Sequence, residues 1–289
     1  MNVPSPGTSD DIPRTVVSGP FAPGERVLLI DRKGRRYLVT LATGAEFHTH
    51  NGRLAHDDLI GQEEGASVRS TSGSRFSAVR PTLADFVLSM PRGAQVIYPK
   101  DLGPILVLAD VFGGARVLEA GVGSGALSMA LLRAGADVVG YELRPDFADR
   151  ARRNVSAFLG NDCMRRYRVE HRDVYEGIEE TGFDRVVLDL PEPWRVVGHA
   201  AAALRPGGIF VAYVPSIMQV AQLREVLAAS SFGMAETMEV LVRTWHVDGH
   251  AVRPDHRMVA HTGFLTSARL MGDVEPAVAD PHAAPDSRS

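Results

Sequence analysis

The apolar positions of this chain change rhythm near residue 81. From Glu25 to about Pro81 they fall in short runs separated by turn residues. Arg26 to Ile30 is followed by Asp31-Arg32-Lys33-Gly34 and then by Arg36 to Leu41, a hairpin pattern with glycine where a positive φ is needed. Ser67 to Ser70, Thr71-Ser72-Gly73-Ser74 and Arg75 to Arg80 repeat that pattern. A small all-β domain over 19–81 is predicted.

Beyond Thr82, apolar runs alternate with helical segments. Strands are predicted at Arg116–Glu119, Val138–Tyr141, Arg168–Glu170, Asp184–Leu190 and Ile209–Val214. Helices are predicted at Ala126–Ala134, Pro145–Leu159, Trp194–Leu204 and Ile217–Ala229. This alternation implies an α/β fold, a mostly parallel sheet with helices on both faces, over 82–271. Thr237–Thr244 and Gly263–Ala268 read as two strands with no long helix between them, suited to antiparallel pairing at one edge. Residues 1–18 and 272–289 are rich in Pro, Ser and Asp and are expected to be disordered.

Composition adds limits. Of the 289 residues, 45% are hydrophobic and 23% charged, enough for a real core. No run reaches the ~20 apolar residues of a membrane span. Cys163 is the only cysteine, so no intrachain disulfide can form, and the N-terminus lacks a signal-peptide pattern. A cytoplasmic protein is expected. The net charge of −4 argues against a uniformly basic nucleic-acid surface but leaves room for a local stripe. Arg144 to Arg172 holds eight arginines against four acids, which is either an RNA face or a solvated helical surface.

The sharpest motif is Glu119-Ala120-Gly121-Val122-Gly123-Ser124-Gly125, between the first strand of the second region and a helix. Such a turn brings backbone close to a ligand, and dinucleotide enzymes use one too. The strand-end acids point instead to S-adenosylmethionine. Glu119 is placed to take the ligand's ammonium, Glu142 its ribose hydroxyls and Asp173 its adenine amine. Acids at three successive strand ends, in the crevice where open α/β sheets bind ligands, are hard to read as mere solvation.

The fourth strand ends in Asp189-Leu190-Pro191-Glu192-Pro193-Trp194. A carboxylate at that end suits a ring-nitrogen nucleophile, because it can orient the base and stabilise developing positive charge. Its bland reading is a solvated strand end. Trp194 either shapes the loop or stacks on a base. Tyr98 either walls the methyl site or sits in the core. Lys100 suits an RNA phosphate or plain solvation. His48, His50 and His56 have no cysteine with them, so a structural or RNA-facing role is favoured over zinc.

Several stretches together resemble one family, the bacterial and archaeal tRNA (adenine-N1)-methyltransferases acting on position 58 of the T-loop. They are Gly44 to His50, Gln95 to Asp101, Val117 to Gly125, Leu188-Asp189-Leu190 with Pro193-Trp194, and Arg243 to Phe264. The resemblance covers roughly Gly19 to Leu270. It implies a Rossmann-like seven-stranded class I methyltransferase domain behind a small N-terminal all-β domain, tRNA as partner and a homotetramer. It implies cofactor contacts at Ile97, Ser124, Gly125, Ala126, Leu127, Glu142, Arg144, Asp173, Val174 and Asp189, with Asp189 and Tyr98 around the target adenine. Pro191 departs from the pattern, since relatives often carry an apolar residue there. Two other readings remain. One is an exocyclic-amine methyltransferase, whose Asp/Asn-Pro-Pro-aromatic loop is here interrupted by Leu190. The other is a non-catalytic RNA-binding subunit.

Overall fold

The structure is a computed structural model and describes residues 18–93 and 95–272. The disorder expected of 1–18 and 272–289 therefore lies, except for residues 18 and 272 themselves, outside the described residues. The chain divides into two compact units. One comprises the described residues up to Pro91 with Arg153–Met164, and the other comprises Arg92–Arg152 with the described residues from Arg165.

The first unit holds β1 (Arg26–Asp31), β2 (Arg36–Thr40), β3 (Glu46–Thr49), β4 (Gly52–Ala55), β5 (Ser67–Arg69), β6 (Arg75–Val79) and the helix α1 (Leu83–Ser89). The four-stranded sheet runs β2-β1-β6-β5, and its pairs are antiparallel. Gly34 takes φ 75° in the first hairpin turn. Alternation buries Val27, Leu29 and Phe76, which pack with Phe21, Leu41, Leu54 and Leu59. Burying apolar area of this kind is the main favourable term in folding. The β3–β4 hairpin was not anticipated, because Phe47 and Leu54 are the large apolar side chains of its two strands and give no period to read. It holds its place by sending Leu54 into the core. A capping box between Thr82 and Asp85 starts α1.

The second unit begins with α2 (Pro99–Leu108), β7 (Arg116–Ala120), α3 (Ala126–Arg133), β8 (Asp137–Glu142) and α4 (Pro145–Leu159), the last turns of which belong to the first unit. Then follow β9 (Tyr167–His171), β10 (Phe183–Asp189), α5 (Val197–Ala203), β11 (Leu204–Val214), α6 (Ile217–Ala228), β12 (Phe232–Glu239), β13 (Trp245–Asp248), β14 (Ala251–Pro254) and β15 (Phe264–Leu270). The seven-stranded sheet is ordered β12-β15-β11-β10-β7-β8-β9. Strands β11, β10, β7, β8 and β9 run parallel, and β15 and β12 are antiparallel, as the change of rhythm predicts. Successive strands move outward from β7 on one side, then return to β10 on its other side. The C-terminal ends of β7 and β10 therefore flank a topological switch point, where open α/β sheets form their ligand crevice.

Three details differ from the sequence reading. The segment expected as one helix over Trp194–Leu204 is a 3-10 turn, Pro193–Val196, followed by the short α5. The strand expected at Thr237–Thr244 is β12, which starts at Phe232 and stops at Glu239. Its ladder with β15, from Phe232↔Leu270 to Glu239↔Phe264, sets those limits, because residues past Glu239 have no strand opposite them. The β13–β14 hairpin was missed because its side chains are almost all exposed, leaving no burial period to read.

Candidate functional site

At the switch point the chain needs glycine. A Cβ on Gly121 would lie 3.0 Å from the Asp189 carbonyl oxygen, so the ends of β7 and β10 approach closely only without a side chain there. Gly123 and Gly125 take φ of 56° and 84°. Gly125 caps α3 in the left-handed conformation, and the helix opens on Ala126 with its first N–H groups turned to the crevice end of the sheet.

A small cavity lies here. It is lined by Ile97, Glu119, Gly121, Gly123, Ser124, Ala126, Leu127 and Asp189 from the candidate set, together with Gln95, Val96 and Val122. Val122 could have been inferred from its place between two motif glycines, and Gln95 and Val96 open one of the stretches behind the family resemblance. The structure thus joins three segments distant in sequence, at 95–97, 119–127 and 189.

Glu119 is fully buried. Its Oε2 accepts a 2.6 Å hydrogen bond from Ser128 Oγ, which in turn accepts one from the Tyr167 hydroxyl at 2.9 Å. Its Oε1 has no hydrogen-bond partner among the described residues. Burial, with repulsion from Asp189 and Glu142 adding to it, pushes the Glu119 pKa up to about 8. Asp189 is partly buried, and burial with the nearby Glu142 raises its pKa to about 7. A buried carboxylate oxygen without a donor is costly unless a ligand supplies one.

Glu142 stands just outside the lining. Its Oε2 accepts from the Gly123 N–H at 2.9 Å and its Oε1 from the Arg144 N–H at 2.9 Å, so it braces the glycine turn. Other candidates are likewise not among the lining residues. Asp173 Oδ1 accepts from the Tyr175 N–H at 2.9 Å in a local turn. Val174 is buried in the core of the unit. The Arg144 guanidinium pairs with Asp146 and lies over the Phe147 ring. Tyr98 caps α2, where Pro99 occupies the first turn. Trp194 is partly buried and packs against the hydrophobic core.

The arginine-rich stretch is largely committed to its own fold. Arg152 bonds Asp149 and the Val169 carbonyl, and Arg166 bonds the carbonyls of Leu132 and Ala136. Arg168 and Arg172 pair with Glu170, Glu179 and Glu180. No cluster suited to a metal ion is found among the described residues, and His48 stands exposed beside Glu46. No helix among the described residues is long and apolar enough to cross a membrane.

Residues 77–252 match the family described as tRNA methyltransferase complex GCD14 subunit, and residues 19–68 match the TrmI-like N-terminal family. The chain is 41% identical over 248 residues to a tRNA (adenine(58)-N(1))-methyltransferase TrmI of Thermus thermophilus, covering 84% of this chain and 96% of that one. It is 35% identical over 269 residues to the tRNA (adenine(57)-N(1)/adenine(58)-N(1))-methyltransferase TrmI of Methanocaldococcus jannaschii, covering 84% and 94%. Among solved structures, a SAM-dependent O-methyltransferase from Thermotoga maritima superposes with a TM-score of 0.84 at 32% identity, covering 88% of this chain and 96% of that one. The tRNA (m1A58) methyltransferase TrmI of Aquifex aeolicus superposes at 0.78 with 29% identity, covering 88% and 100%.

Proposed function

The chain belongs to the tRNA methyltransferase complex GCD14 subunit family, and from that premise we infer that it transfers a methyl group from S-adenosylmethionine to N1 of adenine 58 in the T-loop of tRNA. The observation that carries the reading to this chain's own residues is the pair of raised-pKa carboxylates, Glu119 and Asp189, on one cavity at the switch point.

The residues present fit the cofactor. The unpartnered Oε1 of Glu119 has the chemistry to accept from the ligand's ammonium. Gly121 and Gly123 leave room for close backbone approach. Glu142, held by the Gly123 N–H, keeps lone pairs for ribose hydroxyls. When bound, the cofactor supplies a sulfonium-activated methyl group.

Adenine N1 attacks with its own lone pair and needs no base to deprotonate it first. Asp189 in its ionised form accepts a hydrogen bond from the exocyclic amine, fixes the ring plane and stabilises the positive charge that grows on the ring. Its raised pKa means that Asp189 is only partly ionised near neutrality without the cofactor, and an incoming cation favours the ionised form. Tyr98, at the start of α2, is assigned to the target adenine. Ile97, Ser124, Gly125, Ala126, Leu127, Arg144, Asp173 and Val174 are assigned to the cofactor side.

The finer expectations go with this reading: a homotetramer in the cytoplasm. Support for assembly comes from the β13–β14 hairpin, where Trp245 is 56% and Val247 69% exposed in the single chain. Analytical ultracentrifugation checks the tetramer. The activity is tested by incubating the protein with unmodified tRNA and methyl-labelled S-adenosylmethionine, then identifying the labelled nucleoside by mass spectrometry. N1-methyladenosine at position 58 is expected. Label on N6, with alkaline rearrangement excluded, favours the exocyclic-amine reading, and no cofactor binding favours a non-catalytic subunit.

A further inference from the structure

A second cluster of ionisable groups lies beside the cavity without being part of its wall. Asp101, in the first turn of α2, is fully buried. Its Oδ1 accepts from Lys100 Nζ at 2.8 Å and its Oδ2 from Thr262 Oγ1 at 2.6 Å. Lys100, with its side chain only 8% exposed, also donates to the Val240 carbonyl at 2.6 Å. Lys100 is thus neither an RNA-phosphate contact nor a solvated residue. Its ammonium is turned inward, onto Asp101 and the Val240 carbonyl.

These bonds close both roots of one long segment. Val240 directly follows β12, and Thr262 comes two residues before β15, so the segment between them, with β13 and β14, is fastened at each end to the start of α2. His261 adds a clip, with Nδ1 2.7 Å from Glu239 Oε1 and Nε2 2.8 Å from the Pro215 carbonyl just after β11.

The fastening bears on two aromatic residues. The Asp101 N–H donates to the Tyr98 carbonyl at 2.8 Å, fixing Tyr98 at the helix cap. The Tyr213 hydroxyl interacts with the Thr262 side chain. A Cβ on Gly263 would lie 2.5 Å from Tyr213 Cζ, so the ring lies directly over the backbone after Thr262. Tyr213 is the register partner of Asp189 across β10 and β11. In a parallel pair, partners present their side chains on the same face of the sheet.

We propose that Asp101 and Thr262 are positioning residues for adenine methylation, acting through Tyr213: they hold its ring beside the Asp189 carboxylate, where the flipped base must lie. The proposal rests on Asp189 as the carboxylate that faces the target adenine. A buried ion pair is poor evidence of stabilisation by itself, since burying both charges offsets much of their attraction. What distinguishes this one is that its second acceptor oxygen is used to hold the loop that touches Tyr213.

The test uses full-length protein and unmodified tRNA, with single-turnover methylation measured at saturating cofactor. Thr262→Val keeps the side-chain volume and removes the donor to Asp101. A misplaced ring next to the reacting base should slow the chemical step by about ten- to a hundredfold. Thr262→Ser restores the rate, and calorimetric affinity for S-adenosylmethionine stays within about twofold in both variants. In a Tyr213→Phe background, the added loss from Thr262→Val shrinks to about twofold or less, because coupled sites are non-additive. Three results overturn the proposal: a wild-type rate for Thr262→Val, an equal loss in both backgrounds, or a parallel fall in cofactor affinity and melting temperature. A wild-type protein that places no methyl on adenine N1 overturns instead the function on which the proposal rests.

Discussion

The carboxyl groups of Glu119 and Asp189 line one cavity at the switch point, although they lie 70 positions apart in the chain. Glu119 pairs in register with Val187, two residues before Asp189, so adjacent parallel strands deliver both acids to one end of the sheet. Burial, with no basic side chain bonded to either acid among the described residues to offset it, makes both hold protons more tightly than free carboxylates do. A cation entering between them reverses that preference.

The first prediction follows from these two pKa values. With Glu119 raised to about 8 and Asp189 to about 7, the cofactor-free site is partly protonated at neutral pH. Binding a sulfonium and an ammonium favours ionisation, so protons are released. Affinity for S-adenosylmethionine should rise with pH up to about 8, by as much as about tenfold per pH unit for each proton released. Calorimetry in two buffers of different ionisation enthalpy counts those protons. No proton release at neutral pH shows that the acids are already ionised.

The same groups set the sign of a stability effect. Their folded pKa values exceed the unfolded ones, so the folded, cofactor-free state binds more protons. The stability they contribute is full below about pH 4 and is lost as pH rises through the folded values near 7 and 8. Melting temperature without cofactor should fall across that window, and Glu119→Gln should flatten the fall. A slope unchanged by Glu119→Gln removes Glu119 as its source.

Glu142 should matter to binding more than to chemistry. Glu142→Ala removes the acceptor for the Gly123 and Arg144 N–H groups and, in the proposed site, for the ribose hydroxyls. Charge-assisted hydrogen bonds contribute roughly 1.5–3 kcal/mol, so cofactor binding should weaken about tenfold or more. Glu142→Gln, which keeps one acceptor oxygen, should recover part of the loss. Unaltered affinity in the Ala variant places Glu142 outside the cofactor site.

Asp189→Ala should leave tRNA binding nearly intact and slow single-turnover methylation at saturating cofactor by about 10²–10³, the loss typical of one preorganised electrostatic partner. Asp189→Asn should regain part of the rate, since it keeps an acceptor and loses the charge. An Ala variant close to the wild-type rate strikes Asp189 from the catalytic role.

Replacing Arg152 and Arg166 by Ala should lower the melting temperature and leave the salt dependence of tRNA binding unchanged, because their guanidinium groups already bond Asp149 and backbone carbonyls. Binding measured across a salt series decides this. A flatter slope returns the stretch to the RNA face.

Much of this protein was legible in its sequence. Buried parallel strands must be apolar on both faces, so the strands around Val117, Val138 and Val186 stand out as short apolar runs. A turn that meets a ligand with its backbone must use glycine, and the acids at strand ends are visible because a strand's end is visible. These features depend on neighbours in the chain, and so they made legible the fold class and the strand ends where Glu119 and Asp189 come to line one cavity. What depends on contact between distant segments was not readable. The exposed β13–β14 hairpin carries no burial pattern. Arg152, Arg166, Arg168 and Arg172 look like part of a basic face until their carboxylate and carbonyl partners are in place. Lys100 looks like a surface lysine until Val240, 140 positions away, meets it, and Asp101 shows no role until Thr262 arrives from 161 positions away. Only the ordering of the strands brings such groups within hydrogen-bonding distance. A hydrogen bond acts over about 3 Å and leaves no periodic trace along the chain that makes it.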